Sequence, residues 1–443
     1  MKQFSIDTSD RNIDKNVALG LLYKPVSMIL SYLYVPVVLN YLGDEKYGVW
    51  ATVLSVLSWI TIFDIGIGNG LRNKLAENFN NYDRHLVRGY VSSAYIMLSG
   101  IVGVLLIASV TTANFVNWNS FFRVSNSDSD NLKLVMIISI FSMCVSFVMS
   151  ICKSIYLALQ KNHVVNLMGV VQQILMLGSV WVLSKCTLSN LVYVALAYGI
   201  SNLVSETIFT IRLFQINQDF VPRLKYFNYT EAKTTTSLGI QFFIVQIAAI
   251  ILYTTDNIMI TQICGPAEVT PYTTANKMFS MITAVFSIMI APYWSAITVK
   301  KTKHDWDGIN KAKRKMLVLW SISTCGCVAL IFVFKPIVKI WLQKELNFQQ
   351  GLIPLMAAYA IIYMWNAVYS QIGNGLSLMR VAVILAVIQG IVNILASIFF
   401  GAILHMNTVG ILLGTVIAML ISSIVMPLYI RKEIKVREGF VTH

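Results

Sequence analysis

The chain has 443 residues, of which 56% are hydrophobic and only 12% are charged, about half the charged share of an ordinary soluble domain. Lys and Arg outnumber Asp and Glu by 34 to 20, which gives a net charge of +14. A water-soluble fold of this composition would expose far too much apolar surface, so we expect lipid to be its main solvent. The basic residues lie in short loops between apolar runs, as membrane topology requires, so the positive charge does not indicate a nucleic-acid partner.

The apolar runs predict an all-α membrane protein with about twelve transmembrane helices. Residues 1–16 are polar, and the run that follows has no signal-peptidase-like site, so we expect it to remain as an uncleaved first span. Each span needs about 20 largely apolar residues. The predicted spans lie at 17–42, 47–69, 90–113, 133–158, 163–184, 191–213, 237–262, 270–297, 316–335, 351–373, 381–403 and 409–430.

The distribution of Lys and Arg between alternate loops predicts the orientation. With the N-terminus in the cytoplasm, 24 of these residues fall in cytoplasmic segments and seven in outside segments. Because positive residues are retained on the cytoplasmic side, both termini are predicted to be cytoplasmic.

The chain also divides into two similar halves. We predict an N-terminal six-helix lobe at 1–213, a cytoplasmic inter-lobe linker at 214–236, and a C-terminal six-helix lobe with a short cytoplasmic tail at 237–443. Matching residues open the halves: Leu19-Gly20, Gly43 and Tyr47 in the first, and Leu238-Gly239, Gly265 and Tyr272 in the second. Six spans per unit give a parallel repeat, in which we expect a cleft between the two lobes.

The sequence argues against enzymatic chemistry. No loop exceeds about two dozen residues, and no G-x-x-x-x-G-K-[ST] motif for binding nucleotide phosphates occurs. The six cysteines have no metal-ligand spacing, so neither a metal site nor a bound cofactor is predicted.

Ionisable residues inside the predicted spans mark the candidate functional site, because charge in a membrane is costly and usually faces a partner or an aqueous cavity. Six residues qualify: Lys24, Asp64, Lys153, Glu206, Asp256 and Lys277. Their depths predict one ion pair between Lys24 and Asp64 and another between Asp256 and Lys277.

Two readings of these charges stay open. The pairs could only fasten helices together, and a lysine near a helix end can extend to the headgroups. Alternatively, at least one of Lys24, Asp64 and Asp256 lines a substrate or ion path. Pro25 directly follows Lys24, so a kink there would suit either a gate or a static bend.

Three motifs resemble those of bacterial polysaccharide transporters. Residues 64–75 (DIGIGNGLRNKL), which contain Gly68-Asn69-Gly70, resemble the end of that family's second helix. Residues 41–50 (YLGDEKYGVW) resemble its first outer loop, and Asn374-Gly375 resembles a later NG element. The family comprises the Wzx-type oligosaccharide flippases of the multidrug/oligosaccharidyl-lipid/polysaccharide (MOP) superfamily. In length and span number the resemblance covers essentially the whole chain, although the sharp match covers mainly residues 41–75.

The resemblance implies a bacterial inner-membrane flippase for surface polysaccharide such as O-antigen or capsule. Its substrate would be an oligosaccharide repeat unit on undecaprenyl diphosphate, moved to the outer leaflet by alternating access and coupled to an H⁺ or Na⁺ gradient. Other polysaccharide-assembly proteins are further candidate partners, and we expect a monomer. On this basis the candidate residues are Lys24, Arg72, Arg88, Lys153 and Lys277 for the substrate, Asp64, Glu206 and Asp256 for ion coupling, and Pro25, Gly68, Asn69, Gly70, Asn374 and Gly375 for gating.

One feature departs from the family's strongly cationic cavity: the embedded charges here balance, three basic against three acidic. Either Arg72 and Arg88 supply the excess positive charge at the cytoplasmic mouth, or the balance favours the main alternative, a cation-coupled multidrug antiporter of the MATE type from the same superfamily. A lipid II flippase is disfavoured because its usual extra spans are missing. A membrane glycosyltransferase or polymerase is disfavoured because no large outer loop is present.

Overall fold

The computed structural model describes residues 10–60, 67–78, 83–124, 131–159, 161–231, 254–376 and 378–441. Every regular element in these ranges is a helix. The chain separates into two compact units, Met1–Ile244 and Val245–His443.

The first unit contains nine described α-helices. They are α1 Asp10–Leu42, α2 Asp44–Ile60, α3 Ile67–Asn78, α4 Arg84–Phe115, α5 Trp118–Phe122, α6 Leu132–Met149, α7 Ile151–Ala158, α8 Asn162–Cys186 and α9 Leu191–Ile216. Helix α1 packs along α8, and α6 lies between α4 and α9. Short 3₁₀ turns at Gln218–Phe220 and Leu224–Tyr226 then lie against α4.

The second unit begins, in its described part, with α10 at 254–264. It continues with α11 Val269–Thr302, α12 Trp306–Leu342, α13 Leu352–Gly375, α14 Met379–Ile398 and α15 Asn407–Val441. A π-helical turn, Phe399–Ile403, extends α14. Helix α13 contacts α11, α12 and α15, and α14 packs along α15.

The helices have the length and composition of membrane spans. In the described ranges, ten helical segments are long and apolar enough to cross a membrane, and they coincide with ten of the twelve predicted spans. The predicted span 47–69 falls on α2, which has 17 residues, on α3, and on residues 61–66, which lie outside the description. The predicted span 237–262 is described only from residue 254.

The matching openings of the two halves have a structural counterpart. Gly43 and Gly265 each follow a helix and have positive φ angles of 77° and 99°, a conformation that is unstrained only for glycine. The Gly43 amide bonds to Leu39 O at 2.8 Å, and the Gly265 amide bonds to Ile260 O at 3.1 Å. Both glycines therefore stand directly after a helix in a backbone conformation that other residues rarely adopt.

Candidate functional site

A buried ion pair lies inside the first unit. The carboxylate of Glu206 on α9 accepts hydrogen bonds from Lys153 Nζ at 2.7 Å and from Ser146 Oγ at 2.6 Å. The Glu206 side chain is 4% exposed and that of Lys153 is 36% exposed. A buried carboxylate is costly without partners, and these two donors supply them.

The sequence positions this pair through small residues on facing helices. Ser139, Ser142 and Ser146 follow at spacings of three and four, so they lie on one face of α6. A Cβ at Gly199 on α9 would meet the Ser142 side chain at 2.6 Å, so glycine allows the two helices to approach closely at this level. This approach brings Glu206, two turns further along α9, within reach of Ser146.

A second buried carboxylate lies inside the second unit. Asp256 on α10 is 3% exposed and accepts a 2.6 Å hydrogen bond from Tyr272 Oη on α11. Thr415 Oγ1 on α15 lies 2.9 and 3.0 Å from the two oxygens of Asp256. The Asn393 side-chain amide on α14 donates to the same hydroxyl at 2.8 Å. Asn393 Oδ1 is buried and has no hydrogen-bond partner in the described part of the chain. A carboxylate, two hydroxyls and a side-chain amide thus meet at this cluster.

Glycine again permits the helix contact that assembles this cluster. Gly410 and Gly414 on α15 are four residues apart, the spacing of close helix contacts in membranes. A Cβ at Gly414 would lie 2.4 Å from Ser397 N, and one at Gly410 would lie 2.5 Å from Phe400 C. The backbones of α14 and α15 are therefore nearly in contact, and Ser397 Oγ bonds to Ile411 O at 3.0 Å. Asn393 is thereby held against Thr415.

The two predicted ion pairs have different outcomes. Asp256 is hydrogen-bonded by the hydroxyls of Tyr272 and Thr415. The partner that α11 supplies is therefore Tyr272, whereas we expected Lys277, five residues further along the same helix. Lys277 itself is half-buried. The pair between Lys24 and Asp64 cannot be assessed, because Asp64 lies outside the described residues.

Sequence reasoning missed the polar partners of Asp256, because it considered only ionisable residues. A usable signal was present. Gln389, Asn393 and Ser397 recur every fourth residue in an otherwise apolar span, and all three are buried. Such a row of polar residues on one face of a membrane helix indicates interhelical hydrogen bonds.

Arg88 has a structural partner that the sequence did not suggest. Its guanidinium pairs with Asp219 at 2.6 Å, and Arg84 adds a second contact to Asp219 at 3.4 Å. Arg88 also lies over the ring of Tyr226, 5.5 Å from the centroid. These contacts fasten the described part of the predicted linker, 214–231, to the start of α4. Arg88 as a substrate contact therefore stays a prediction, with its charge engaged by Asp219.

The other predicted residues lie on helices. Lys24 and Pro25 are exposed on α1, which continues as a helix through Pro25, and Arg72 is exposed on α3. The structure describes Gly68 as half-buried and Gly70 as buried at the start of α3, and the side chain of Asn69 is outside the description.

The later NG element has a clear packing role. A Cβ at Gly375 would lie 2.6 Å from the Ile297 side chain and 3.2 Å from Trp294 O. Lys301 Nζ bonds to Leu376 O at 3.1 Å. The end of α11 is therefore packed tightly against the end of α13, while Asn374 is half-buried and its gating role stays a prediction.

The fold and these clusters define a class. A chain with ten described helices that could cross a membrane is a multi-pass membrane protein. Each of its two units encloses a carboxylate, and ionisable groups inside spans usually mark the paths of ions or substrates. The class is therefore that of a polytopic helical transporter.

Comparisons with known proteins then give the family. The model of the polysaccharide biosynthesis protein family matches residues 13–298, and the chain belongs to that family. A protein of Salmonella typhimurium named "Putative O-antigen transporter" is 23% identical over 407 residues, which cover 88% of each chain. An O-antigen export protein of Yersinia pseudotuberculosis, also named as putative, is 22% identical, covering 78% of this chain and 79% of its own. The relatives carry the names of transport proteins, as the sequence predicted.

Solved structures show the same fold. An inward-facing MATE-family multidrug transporter of the MOP superfamily superposes with a TM-score of 0.77, at 15% identity, over 95% of this chain and 99% of its own. The lipid II flippase MurJ superposes with a TM-score of 0.70, at 17% identity, over 94% of this chain and 87% of its own. The predicted all-α, MATE-like membrane fold is therefore confirmed.

Proposed function

We propose that this protein flips an undecaprenyl-diphosphate-linked oligosaccharide repeat unit from the cytoplasmic to the outer leaflet of a bacterial inner membrane. The observation that carries the proposal is the family match over residues 13–298, together with O-antigen transport relatives that align over most of the chain. The MOP fold, shared with a flippase of another lipid-linked saccharide, suits alternating access between two lobes. The product would serve O-antigen or capsule synthesis, with the transporter acting as a monomer beside other polysaccharide-assembly proteins.

We further propose that flipping is coupled to an H⁺ or Na⁺ gradient through Asp256. Both oxygens of this buried carboxylate face Thr415, whose hydroxyl also accepts a hydrogen bond from the Asn393 side-chain amide. Oxygen ligands of this kind suit a hard monovalent cation, and the carboxylate alone suits a proton. Among the described residues, no lysine or arginine forms an ion pair with Asp256, so its charge is available to a cation that is carried.

A MATE-type drug antiporter is the second candidate. The high structural similarity to a MATE transporter and the buried carboxylates Glu206 and Asp256 favour it, because cationic drugs need acidic partners. The family match and the O-antigen relatives favour the flippase.

The deciding experiment uses the full-length protein in proteoliposomes that contain an undecaprenyl-diphosphate-linked oligosaccharide in the inner leaflet. Appearance of the glycan on the outside is followed with no gradient, with a pH gradient and with a Na⁺ gradient. We expect protein-dependent flipping that one of the gradients stimulates, and Asp256→Asn should remove most of that stimulation. Gradient-driven export of organic cations without glycan flipping would establish the drug antiporter instead.

A further inference from the structure

The two side chains of the Lys153–Glu206 ion pair differ in exposure. The carboxylate is enclosed, whereas about a third of the Lys153 side chain is exposed. An ammonium carries three N–H donors, and Glu206 Oε1 takes one of them at 2.7 Å. An anion can therefore approach Lys153 without reaching Glu206.

Lys153 is the counter-ion of the Glu206 carboxylate. If the ammonium turned toward another anion, only the 2.6 Å bond from Ser146 would remain to the carboxylate. A buried carboxylate without a compensating cation is strongly disfavoured, and the usual response is to bind a proton. Displacement of Lys153 and protonation of Glu206 are therefore physically linked.

The other titratable groups around Glu206 do not supply a second cation. Tyr95 on α4, Cys152 on α7 and Tyr198 on α9 are the groups close enough to interact electrostatically with the carboxylate. Phenols and thiols are ordinarily neutral at pH 7. In the described part of the unit, Lys153 is thus the cation that faces Glu206.

The surroundings also offer sites for water. Three buried hydroxyls have no hydrogen-bond partner among the described residues: Tyr95, Ser139 and Ser201. Ser139 lies on the same face of α6 as Ser142 and Ser146, and Ser201 lies on α9 with Glu206. Buried polar groups without protein partners are generally satisfied by water, and water there would give a proton a route to the carboxylate.

We propose that the diphosphate of the substrate competes with Glu206 for Lys153, and that Glu206 takes up a proton when the diphosphate wins. The inference rests on the proposed function for its ligand, a lipid-linked diphosphate diester. By linkage, protonation of Glu206 strengthens anion binding as much as anion binding favours protonation. The first lobe would thus couple substrate binding to a proton at a site separate from Asp256.

Binding to the purified full-length protein tests this directly. The probe is a short-chain prenyl-diphosphate-linked monosaccharide, whose diphosphate diester keeps a constant charge between pH 5.5 and 8. Because binding takes up a proton, we expect the affinity to rise as the pH falls, by up to ~10-fold per pH unit. Calorimetry in two buffers of different ionisation enthalpy should report the uptake of about one proton per probe bound over the pH range in which the affinity changes about tenfold per pH unit.

Variants separate the two partners. Glu206→Gln, which is permanently neutral, should bind the probe at pH 8 as tightly as the wild type does at low pH, with no proton uptake. Lys153→Met should bind weakly at every pH. Lys339→Met, which removes the lysine of an exposed pair with Glu345, is the matched control and should behave as wild type.

The outcomes distinguish this inference from the proposed function. Probe binding by the wild type without pH dependence and without proton uptake would overturn the exchange at Lys153 and leave the flippase proposal intact. Lack of binding by every form, including wild type, would contradict the substrate class itself. The proton count needs only the wild-type protein, so the test does not depend on whether Glu206→Gln folds.

Discussion

The two buried carboxylates differ in the residues that balance their charge. Glu206 has a lysine as a built-in counter-ion, whereas Asp256 is held by the hydroxyls of Tyr272 and Thr415. The charge of a buried carboxylate that is paired with a lysine is already compensated. A buried carboxylate without such a partner is stabilised when a cation binds to it. This contrast is why we assign ion binding to Asp256 and exchange to Lys153.

The hydroxyl of Thr415 is predicted to be essential for coupling. Thr415→Val keeps the shape of the side chain and removes the hydrogen bond to Asp256. A hydrogen bond to a charged group is worth about 1.5–3 kcal/mol, so we expect gradient-stimulated flipping to fall by about tenfold or more. Thr415→Ser, which keeps the hydroxyl, is the control and should retain most of the activity. Equal loss in both variants would point to packing of the methyl group instead.

Lys24 is predicted to act in transport rather than in folding. It is exposed on α1, so Lys24→Ala removes charge without opening a cavity, and membrane insertion should be unchanged. Flipping by the reconstituted variant should fall several-fold at equal protein content. Wild-type flipping by a well-inserted Lys24→Ala protein would remove this residue from the substrate path.

Pairs of helices are held together at glycines, and these contacts fix the buried polar clusters. Gly199 sets the approach of α9 to α6, and Gly410 and Gly414 set the approach of α15 to α14. Between lipid-exposed helices the hydrophobic effect contributes little, so close packing and interhelical hydrogen bonds determine which faces meet.

Gly414→Ala is predicted to weaken the contact between α14 and α15. The new Cβ would lie 2.4 Å from Ser397 N, and backbone cannot move aside easily. Overpacking of this kind typically costs about 1–3 kcal/mol. Gly178→Ala on α8, where a Cβ meets nothing within 4 Å, is the matched control and should leave stability unchanged or raised. Thermal unfolding in detergent measures both, and equal midpoints for the two variants would contradict the packing argument.

Docking of the predicted linker on α4 is expected to depend on pH through Glu231. This side chain is 7% exposed and lies against Gly89, and its burial raises its pKa. An acid whose pKa is raised on folding costs stability when it is ionised, so the cost is present above the folded-state pKa and disappears as the pH falls below the ordinary value.

Glu231→Gln should therefore raise the unfolding temperature at pH 8, and the gain should shrink as the pH is lowered toward 5. Glu345→Gln is the contrasting control, because the hydrogen bond from Lys339 lowers the pKa of exposed Glu345. That variant should leave stability unchanged or slightly lower at pH 8, as is usual for a surface pair. A lower unfolding temperature for Glu231→Gln at pH 8 would show that its charged form is the stabilising one.

At the scale of the whole molecule, the predicted topology places both termini in the cytoplasm. Lys303, before α12, is then cytoplasmic, and Glu345, after α12, is outside; both are exposed. In a background without native cysteines, a membrane-impermeant maleimide applied to intact spheroplasts should label Glu345→Cys and should label Lys303→Cys only after permeabilisation. The reverse pattern would invert the topology, and with it the proposed direction of transport.

Composition and the lengths of apolar runs determined much of this architecture by themselves. Ten predicted spans coincide with helical segments that could cross a membrane, because in lipid the backbone must bond within its own segment and a long apolar run has few alternatives to a helix. The cost of burying charge in a membrane also identified Glu206 and Asp256 from the sequence, because ionisable residues inside spans are rare and usually mark functional sites.

Only the tertiary structure decided which side chains meet. Asp256 and Thr415 are 159 residues apart in sequence, and Lys153 and Glu206 are 53 apart. In a soluble helix an apolar stripe shows which face is buried, but a helix in lipid is apolar on nearly all sides, so that stripe is missing. Estimates of depth therefore suggested Lys277 as the partner of Asp256, whereas the structure brings Tyr272 there, and Thr415 from a helix that Gly410 and Gly414 hold close to α14.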